Sequence, residues 1–552
     1  MKTSHILFWC AFAATVLLAA FLRFHDLDKR PMHGDEANQA VKTAILYDDG
    51  EYRYDPYEHH GPTLYFLAMP LFKAAGLDRG LDASPTLLRS LPAFAGVLCL
   101  LLLPLFRPAL GSTAVLWAGL FMALSHGLVY YSRYYIQETL LTLFILAALA
   151  SLYRYFRHGT LGWSLCFGLA LGLMHATKET FIIPAAAMFA ALAATGAWLR
   201  FRHAVPCRLT LRATPQTEPS FTLPATHLAA ALAAGLALSL CFYSSFFTYP
   251  RGMIDAFLSL STYLERAEGT GSTADHDKPF HYYLGLLAYT YREVGPRWTE
   301  GLILALAAVG LLAAGWRTLK RPVASPADTS RAQWADTALL PFLACYTVLV
   351  TLVFSAIPYK TPWNLLPFLQ TMTLLAGVAA ARFTAWPPGP SRWRLGVSAA
   401  LSLVLLAGSG AALHQTWLGI TVYPADTRNP YVYAHTSTAI HRMIAQIEEL
   451  AALHPQGNDI RIDVIKPDGD YWPLPWYLRD FPRTGYWPGL PESLTASLVI
   501  TEPRLAPALT EAIGQPSYKS SFFALRPGVN LLLFVEPELW DRFIASRTEP
   551  SP

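Results

Sequence analysis

The chain has 552 residues, of which 53% are hydrophobic and only 14% charged, and its net charge is +4. A soluble protein carries about 25% charged residues, so most of this chain is not in water. The small net charge, with no Arg/Lys-rich tract interleaved with aromatics, argues against nucleic acid as a partner, and no Walker loop, Rossmann fingerprint or Gly-x-Ser-x-Gly is present to support a soluble nucleotide site.

In chain order, apolar runs approaching the 20 or so residues needed to cross a hydrocarbon core of about 30 Å predict membrane helices near 5–24, 86–106, 112–131, 137–156, 161–178, 181–199, 226–247, 300–316, 336–356, 363–381 and 395–414, about 11 in all. Leu64–Ala75 is short for a span and is expected to lie in the interface. Lys2 precedes the first run and no small-x-small cleavage site lies before Arg23, so the first helix is expected to be retained. Of the six cysteines, five lie in apolar segments and Cys207 in a basic loop, and none forms a CxxC. They read as apolar packers rather than as a disulfide framework or a zinc site. The Pro/Ser/Thr-rich stretches 213–224 and 385–391 read as loops.

With the N-terminus in the cytoplasm, the cytoplasmic ends carry Arg107, then Arg154 and Arg157, then Arg200, Arg202, Arg208 and Arg212, then Arg317, Lys320 and Arg321, then Arg382, Arg392 and Arg394. This agreement sets the expected orientation in a plasma (inner) membrane. An odd number of spans puts the C-terminus outside. Residues 1–415 are expected as the membrane domain, with outer loops 25–85 and 248–298, and 416–552 as an extracytoplasmic domain. In that tail Thr436–Leu453 and Pro537–Ser546 read as helices and Ile460–Ile465, Ser497–Thr501 and Asn530–Val535 as strands, a small α/β domain. The fold class is therefore mainly α and polytopic, with a small α/β tail.

Every stretch with candidate chemistry falls on the outer side. His33-Gly34-Asp35-Glu36 follows the first span and opens an amphipathic helix, with Ala37, Ala40, Val41, Ala44 and Ile45 on one face and Asn38, Gln39 and Lys42 on the other. Asp35 can be a base or simply the N-cap of that helix, with Glu36 favouring its dipole. Glu58, His59 and His60 offer a divalent-cation pair (Mg or Mn). Adjacent residues point apart in regular structure, so polar contacts to sugar or phosphate are the preferred reading of these histidines. Glu138 closes the Tyr130–Glu138 turn at the outer end of the fourth span, as a functional acid or as the partner of Arg133. Lys178 and Glu179, and Tyr359 and Lys360, lie in two further outer turns. Either lysine can snorkel, but two of them with Arg133 form a candidate anion site. Residues 248–298, with His276 and His281, read as a mobile acceptor-side loop. The aromatic run Asp470–Arg479 suits sugar stacking or membrane anchoring.

Arg23…Asp35-Glu36, His60-Gly61-Pro62-x-Leu64-Tyr65, Leu88-Arg89-Ser90-Leu91-Pro92, Ser132-Arg133…Glu138-x-x-Leu141 and Thr177-Lys178-Glu179 together resemble the GT-C membrane glycosyltransferases, on the branch of protein O-mannosyltransferases and lipid A aminoarabinose transferases. The runs Tyr359–Trp363, Asn429–His435 and Asp470–Arg479 resemble the "flippase activity-associated" family within that clan. The resemblance implies a polyprenyl-phosphate sugar donor, a protein, lipid or glycan acceptor, and Asp35 as catalytic base. Glu36 and Glu138 would be the accompanying acids, and Lys178 the lysine of a Thr-Lys-Gly-like turn in which Glu179 here replaces glycine. One base suffices for a single inverting displacement, because phosphate leaves as an anion and needs no acid. The other candidates in substrate binding are His33, His59, His60, Arg133, Glu179, Tyr359 and Lys360. Two alternatives stand beside this reading, a lipid-linked sugar transporter and a non-catalytic component of a glycosylation complex.

Overall fold

A computed structural model describes residues 2–57, 60–201, 224–267, 276–320, 330–384, 392–514 and 517–548. The expected loops at 213–223 and 385–391, Cys207, and the basic residues Arg202, Arg208, Arg212 and Arg321 lie outside the described residues, as do Glu58 and His59.

Among the described residues, eight helices are long and apolar enough to cross a membrane: Ser4–Phe24, Pro85–Leu110, Glu138–His158, Glu179–Leu199, Ala225–Tyr243, Arg331–Ala356, Pro362–Thr384 and Leu395–Thr421. Three of the expected spans fall instead on the shorter apolar helices Ser112–Leu124, Leu161–His175 and Gly301–Gly315. The run expected as one span over 112–131 is broken. Its first helix ends at Leu124, Ser125 turns the chain, and a second helix covers His126–Tyr131. The Ser125 hydroxyl accepts from Leu128 N–H and donates to the buried Glu300, which also accepts from Gly127 N–H at 2.9 Å.

The bundle is built around Pro362–Thr384, whose apolar stretch is 89% buried, whereas Ser4–Phe24 and Leu395–Thr421 are 22% and 17% buried. A lipid-facing helix needs no polar satisfaction beyond its own backbone, which is why the two flanking spans tolerate exposed Leu17, Phe21, Leu403 and Leu406. Leu161–His175 and Ala225–Tyr243 touch backbone to backbone. A Cβ on Gly172 would stand 2.3 Å from the Gly235 carbonyl oxygen, and one on Gly168 2.0 Å from that of Ala231. Glycines at this spacing are what let membrane helices approach so closely.

On the outer side, Gly34–Asp49 and Thr63–Ala75 form helices. The segment expected as a mobile loop over 248–298 is folded where it is described. It contains the helices Gly252–Ala267 and Tyr282–Ala288 and a hairpin of β1 (Thr290–Tyr291) and β2 (Arg297–Trp298). Its His276–Lys278 stretch pairs with the 358–360 turn through Lys278 N–H to Pro358 O and Lys360 N–H to His276 O.

The chain leaving the last span first folds back onto the bundle. Tyr131 and Tyr130 donate their hydroxyls to the carbonyls of Tyr431 and Pro424, each at 2.8 Å. It then forms a mixed five-stranded sheet of β3 (Ile462–Ile465), β4 (Thr484–Trp487), β5 (Leu498–Thr501), β6 (Lys519–Arg526) and β7 (Val529–Val535), in the order β4-β3-β5-β7-β6. β3 runs parallel to β4 and β5, and β7 antiparallel to β5 and β6. Ile447, Leu450 and Phe543 of two helices pack on one side of the sheet with Ile462 and Leu533, and Leu509 packs with Val499 and Phe534 in a separate cluster. β4 and β6 are the two edges and are partly exposed. Edge strands lack the apolar run that marks the central three, so the sequence pattern does not announce them.

Candidate functional site

His33, not Asp35, caps the Gly34–Asp49 helix. Its Nδ1 accepts from Asp35 N–H at 3.0 Å, and Glu36 reaches back to His33 N–H at 3.0 Å, a reciprocal capping box. Because Nδ1 accepts, Nε2 carries the hydrogen and donates to Tyr433 O at 3.0 Å. Both ring nitrogens are thus engaged within the protein. Asp35 is relieved of the capping role, and its side chain is 54% exposed, with one oxygen 3.7 Å from His33 Nδ1.

Glu36 faces the other way and is fully buried. It accepts from Arg89 Nε at 2.8 Å and Arg89 Nη2 at 2.9 Å, from Arg30 Nη2 at 2.9 Å and from Tyr135 N–H at 2.9 Å, besides His33 N–H. Burial opposes its charge, but Arg30, Arg89 and these hydrogen bonds hold the carboxyl down at about 2. Arg89 also donates to the carbonyls of Leu27, Arg30 and Pro31, and Arg30 lies 3.4 Å over the Tyr134 ring. The acid therefore fastens the loop that presents Asp35. The buried face of the helix is also rotated from its apolar stripe. Gln39 is buried, accepting from the Tyr65 hydroxyl and Gln137 Nε2, while Ile45 is 50% exposed.

A second cluster lies where two turns meet. Thr63 N–H donates to Ala176 O, and the Thr63 and Thr177 hydroxyls pair at 2.8 Å. Only glycine fits at position 61, because a Cβ there would stand 2.3 Å from Ala176 O. This junction sets His60 Nδ1 3.0 Å from a Glu179 carboxylate oxygen. Lys178 pairs with Glu138 Oε1, and Glu138 Oε2 is buried without a partner. Glu138 is thus the partner of Lys178 and not of Arg133. Arg133 instead donates to the carbonyls of Leu22, Arg23, His25 and Asp26 at the end of the first span. Lys360 likewise directs its ammonium at the carbonyls of Lys278 and Ile357. Tyr359 stacks on His276, ring centroids 4.6 Å apart, and the His276 ring bonds the Tyr433 hydroxyl. Among the described residues no three His, Cys, Asp or Glu side chains converge as metal ligands.

The tail closes over the Asp35 loop. Trp472 Cβ stands 3.5 Å from where a Gly34 Cβ would be. Arg526, at the end of β6, pairs with Asp470, donates to Trp472 O and feels the charge of Asp35. The Tyr477 hydroxyl accepts from Met32 N–H at 2.9 Å, and Thr436 donates to Met32 O at 2.7 Å. His435 is buried beside His33 and Tyr134, and burial, with Arg30, His33 and Arg89 near, pushes its pKa well below the usual histidine range. No spacing in the sequence ties Arg526 or Trp472 to Asp35. The aromatic run Asp470–Arg479 was the only available signal, and it marks Trp472 and Tyr477.

A family model described as "Dolichyl-phosphate-mannose-protein mannosyltransferase" matches residues 13–251, which hold the Asp35 loop, Glu138 and Lys178. No curated protein sequence matches at a significant level. Among solved structures, the chain is similar to ArnT from Cupriavidus metallidurans bound to undecaprenyl phosphate, with a TM-score of 0.58 and 15% identity over 98% of this chain and 99% of that one. It is also similar to the archaeal oligosaccharyltransferase AglB from Archaeoglobus fulgidus in complex with an inhibitory peptide and a dolichol-phosphate, with a TM-score of 0.53 and 12% identity over 98% of this chain and 77% of that one. These likenesses define the fold: the chain is a polytopic membrane protein of the GT-C glycosyltransferase fold.

Proposed function

We propose that the protein is a membrane glycosyltransferase that moves a sugar from a polyprenyl-phosphate donor to a protein, lipid or glycan acceptor on the extracytoplasmic face. The observation that carries this reading is the division of labour in the acidic pair. Glu36 is locked by two arginines, whereas Asp35 stays exposed beside it with its capping role taken by His33. A carboxylate at the mouth of a folded outer loop suits a general base. The donor and acceptor classes come from the GT-C fold, whose solved relatives include ArnT with undecaprenyl phosphate and AglB with dolichol-phosphate and a peptide.

In the step we propose, Asp35 takes the acceptor's proton as the acceptor heteroatom bonds to the anomeric carbon. The bond from that carbon to the phosphate oxygen breaks, and the polyprenyl phosphate leaves with the electron pair. One displacement inverts the anomeric centre. Lys178 is the cation for the leaving phosphate, shared with Glu138 until the donor arrives. Glu36 is a positioning residue, and residues 416–552 form a separate extracytoplasmic domain that covers the site. The tail motifs support a place near the "flippase activity-associated" branch. With the N-terminus cytoplasmic, eleven spans put Asp35, Lys178 and that domain on one side.

An Asp35→Ala variant tests this with a purified polyprenyl-phosphate sugar. Loss of transfer, with donor binding and melting temperature unchanged, is expected. Unchanged transfer would sink the assignment, and lipid-sugar translocation retained by this variant would favour a transporter.

A further inference from the structure

Arg23 is a buried charge with no counter-charge. It is the next-to-last residue of the first span, at that span's outer end, and is 1% exposed. Its Nη1 donates to Ala19 O at 3.2 Å and its Nη2 to Met122 O at 3.1 Å, while its Nε has no partner. No carboxylate among the described residues pairs with it. Gln370, on the central Pro362–Thr384 span, is fully buried, and neither its amide nitrogen nor its amide oxygen has a partner.

These two orphaned groups line the same internal cavity. It has a volume of ≈ 10 Å³, and Gly96, Cys99 and Met122 complete much of its wall. That is about the room one water-sized particle needs. Gly96 lets the guanidinium lie against the Pro85–Leu110 helix, since a Cβ there would stand 2.6 Å from Arg23 Nε. Thr139 and Thr142 also line it, but their hydroxyls donate to the carbonyls of Tyr131 and Glu138. Arg23 Nε–H and the Gln370 amide N–H are donors left without a partner there, beside the unpartnered Gln370 amide oxygen. An isolated ionised group away from water costs several kcal/mol even after relaxation, and two carbonyl dipoles do not neutralise it.

We propose that this cavity is a binding site for a small monovalent anion of the halide type, held between Arg23 Nε and the Gln370 amide as the counter-ion of Arg23. The anion ties the first span, Pro85–Leu110, Glu138–His158 and Pro362–Thr384 together, directly below the turn that carries Glu138. The proposal is independent of the catalytic reading, since it concerns the stability of the bundle.

The test uses the full-length protein in detergent, with bromide as the probe. Crystals grown with bromide replacing chloride are expected to show an anomalous peak between Arg23 and Gln370. Thermal unfolding at constant ionic strength, with chloride raised from about 5 to about 150 mM against gluconate, is expected to raise the melting temperature by about 1–2 °C. A Gln370→Leu variant, which replaces the amide with an apolar side chain of similar size, is expected to lose that dependence. An ordered water at the position with no bromide signal, or equal melting temperatures of the wild-type protein in chloride and gluconate, overturns the proposal. The wild-type measurements decide it even where the variant does not fold.

Discussion

Glu36→Gln is the sharpest test of how the outer loop is held. The substitution keeps size and shape but removes the charge and turns one oxygen into a donor. Two arginines, Arg30 and Arg89, would then face a neutral amide in a fully buried place, with one of its atoms a donor where five donors now converge. Removing one partner of a buried ion pair costs about 3–5 kcal/mol, because the remaining charge is stranded. The pH dependence supplies a second, independent magnitude. A carboxyl lowered from 4.5 to about 2 on folding corresponds to about 3 kcal/mol of stability. Since the folded value is the lower one, that stability is fully present above pH 4.5 and is lost as pH falls towards 2. Thermal unfolding of purified wild-type and Glu36→Gln protein is therefore expected to differ by roughly 3–4 °C at pH 7. The gap should narrow as pH falls below 4.5. A variant that melts with the wild type at pH 7, or a gap that widens in acid, would refute the view of Glu36 as the fastening acid.

Three further outcomes follow from the same geometry. Asp35→Asn is expected to leave the melting temperature within the equivalent of about 0.5 kcal/mol, because the side chain is half exposed and caps nothing, while sugar transfer is lost. Lys178→Gln strands Glu138 and is expected to cost about 3–5 kcal/mol; in the double variant Lys178→Gln/Glu138→Gln the loss should be clearly smaller than the sum of the two single losses, measured by the same unfolding assay. Gly172→Val pushes a side chain into the Gly235 carbonyl and is expected to destabilise by about 1–3 kcal/mol, read as a lower melting temperature with no specific loss of donor binding.

The hydrophobic runs alone determined that this chain lives in a membrane and where its helices lie, because length and apolarity are local properties. They also marked Asp35, Glu138 and Lys178, since ionisable residues at span ends stand out against an apolar background. The central strands of the tail were legible for the same reason, while the half-exposed edge strands β4 and β6 were not. The break at Ser125 was hidden because a single serine in an apolar run does not reveal that Glu300, far along the chain, will bind the freed backbone. Likewise, the identity of each partner depends on groups distant in sequence. Which residue caps the Gly34–Asp49 helix, that Arg133 holds carbonyls of the first span, that Lys178 rather than Arg133 meets Glu138, and that Trp472 packs beside Gly34 with Arg526 within reach of the Asp35 charge were decided only by tertiary structure. Local pattern says where a charge can sit; only the packed bundle says what neutralises it.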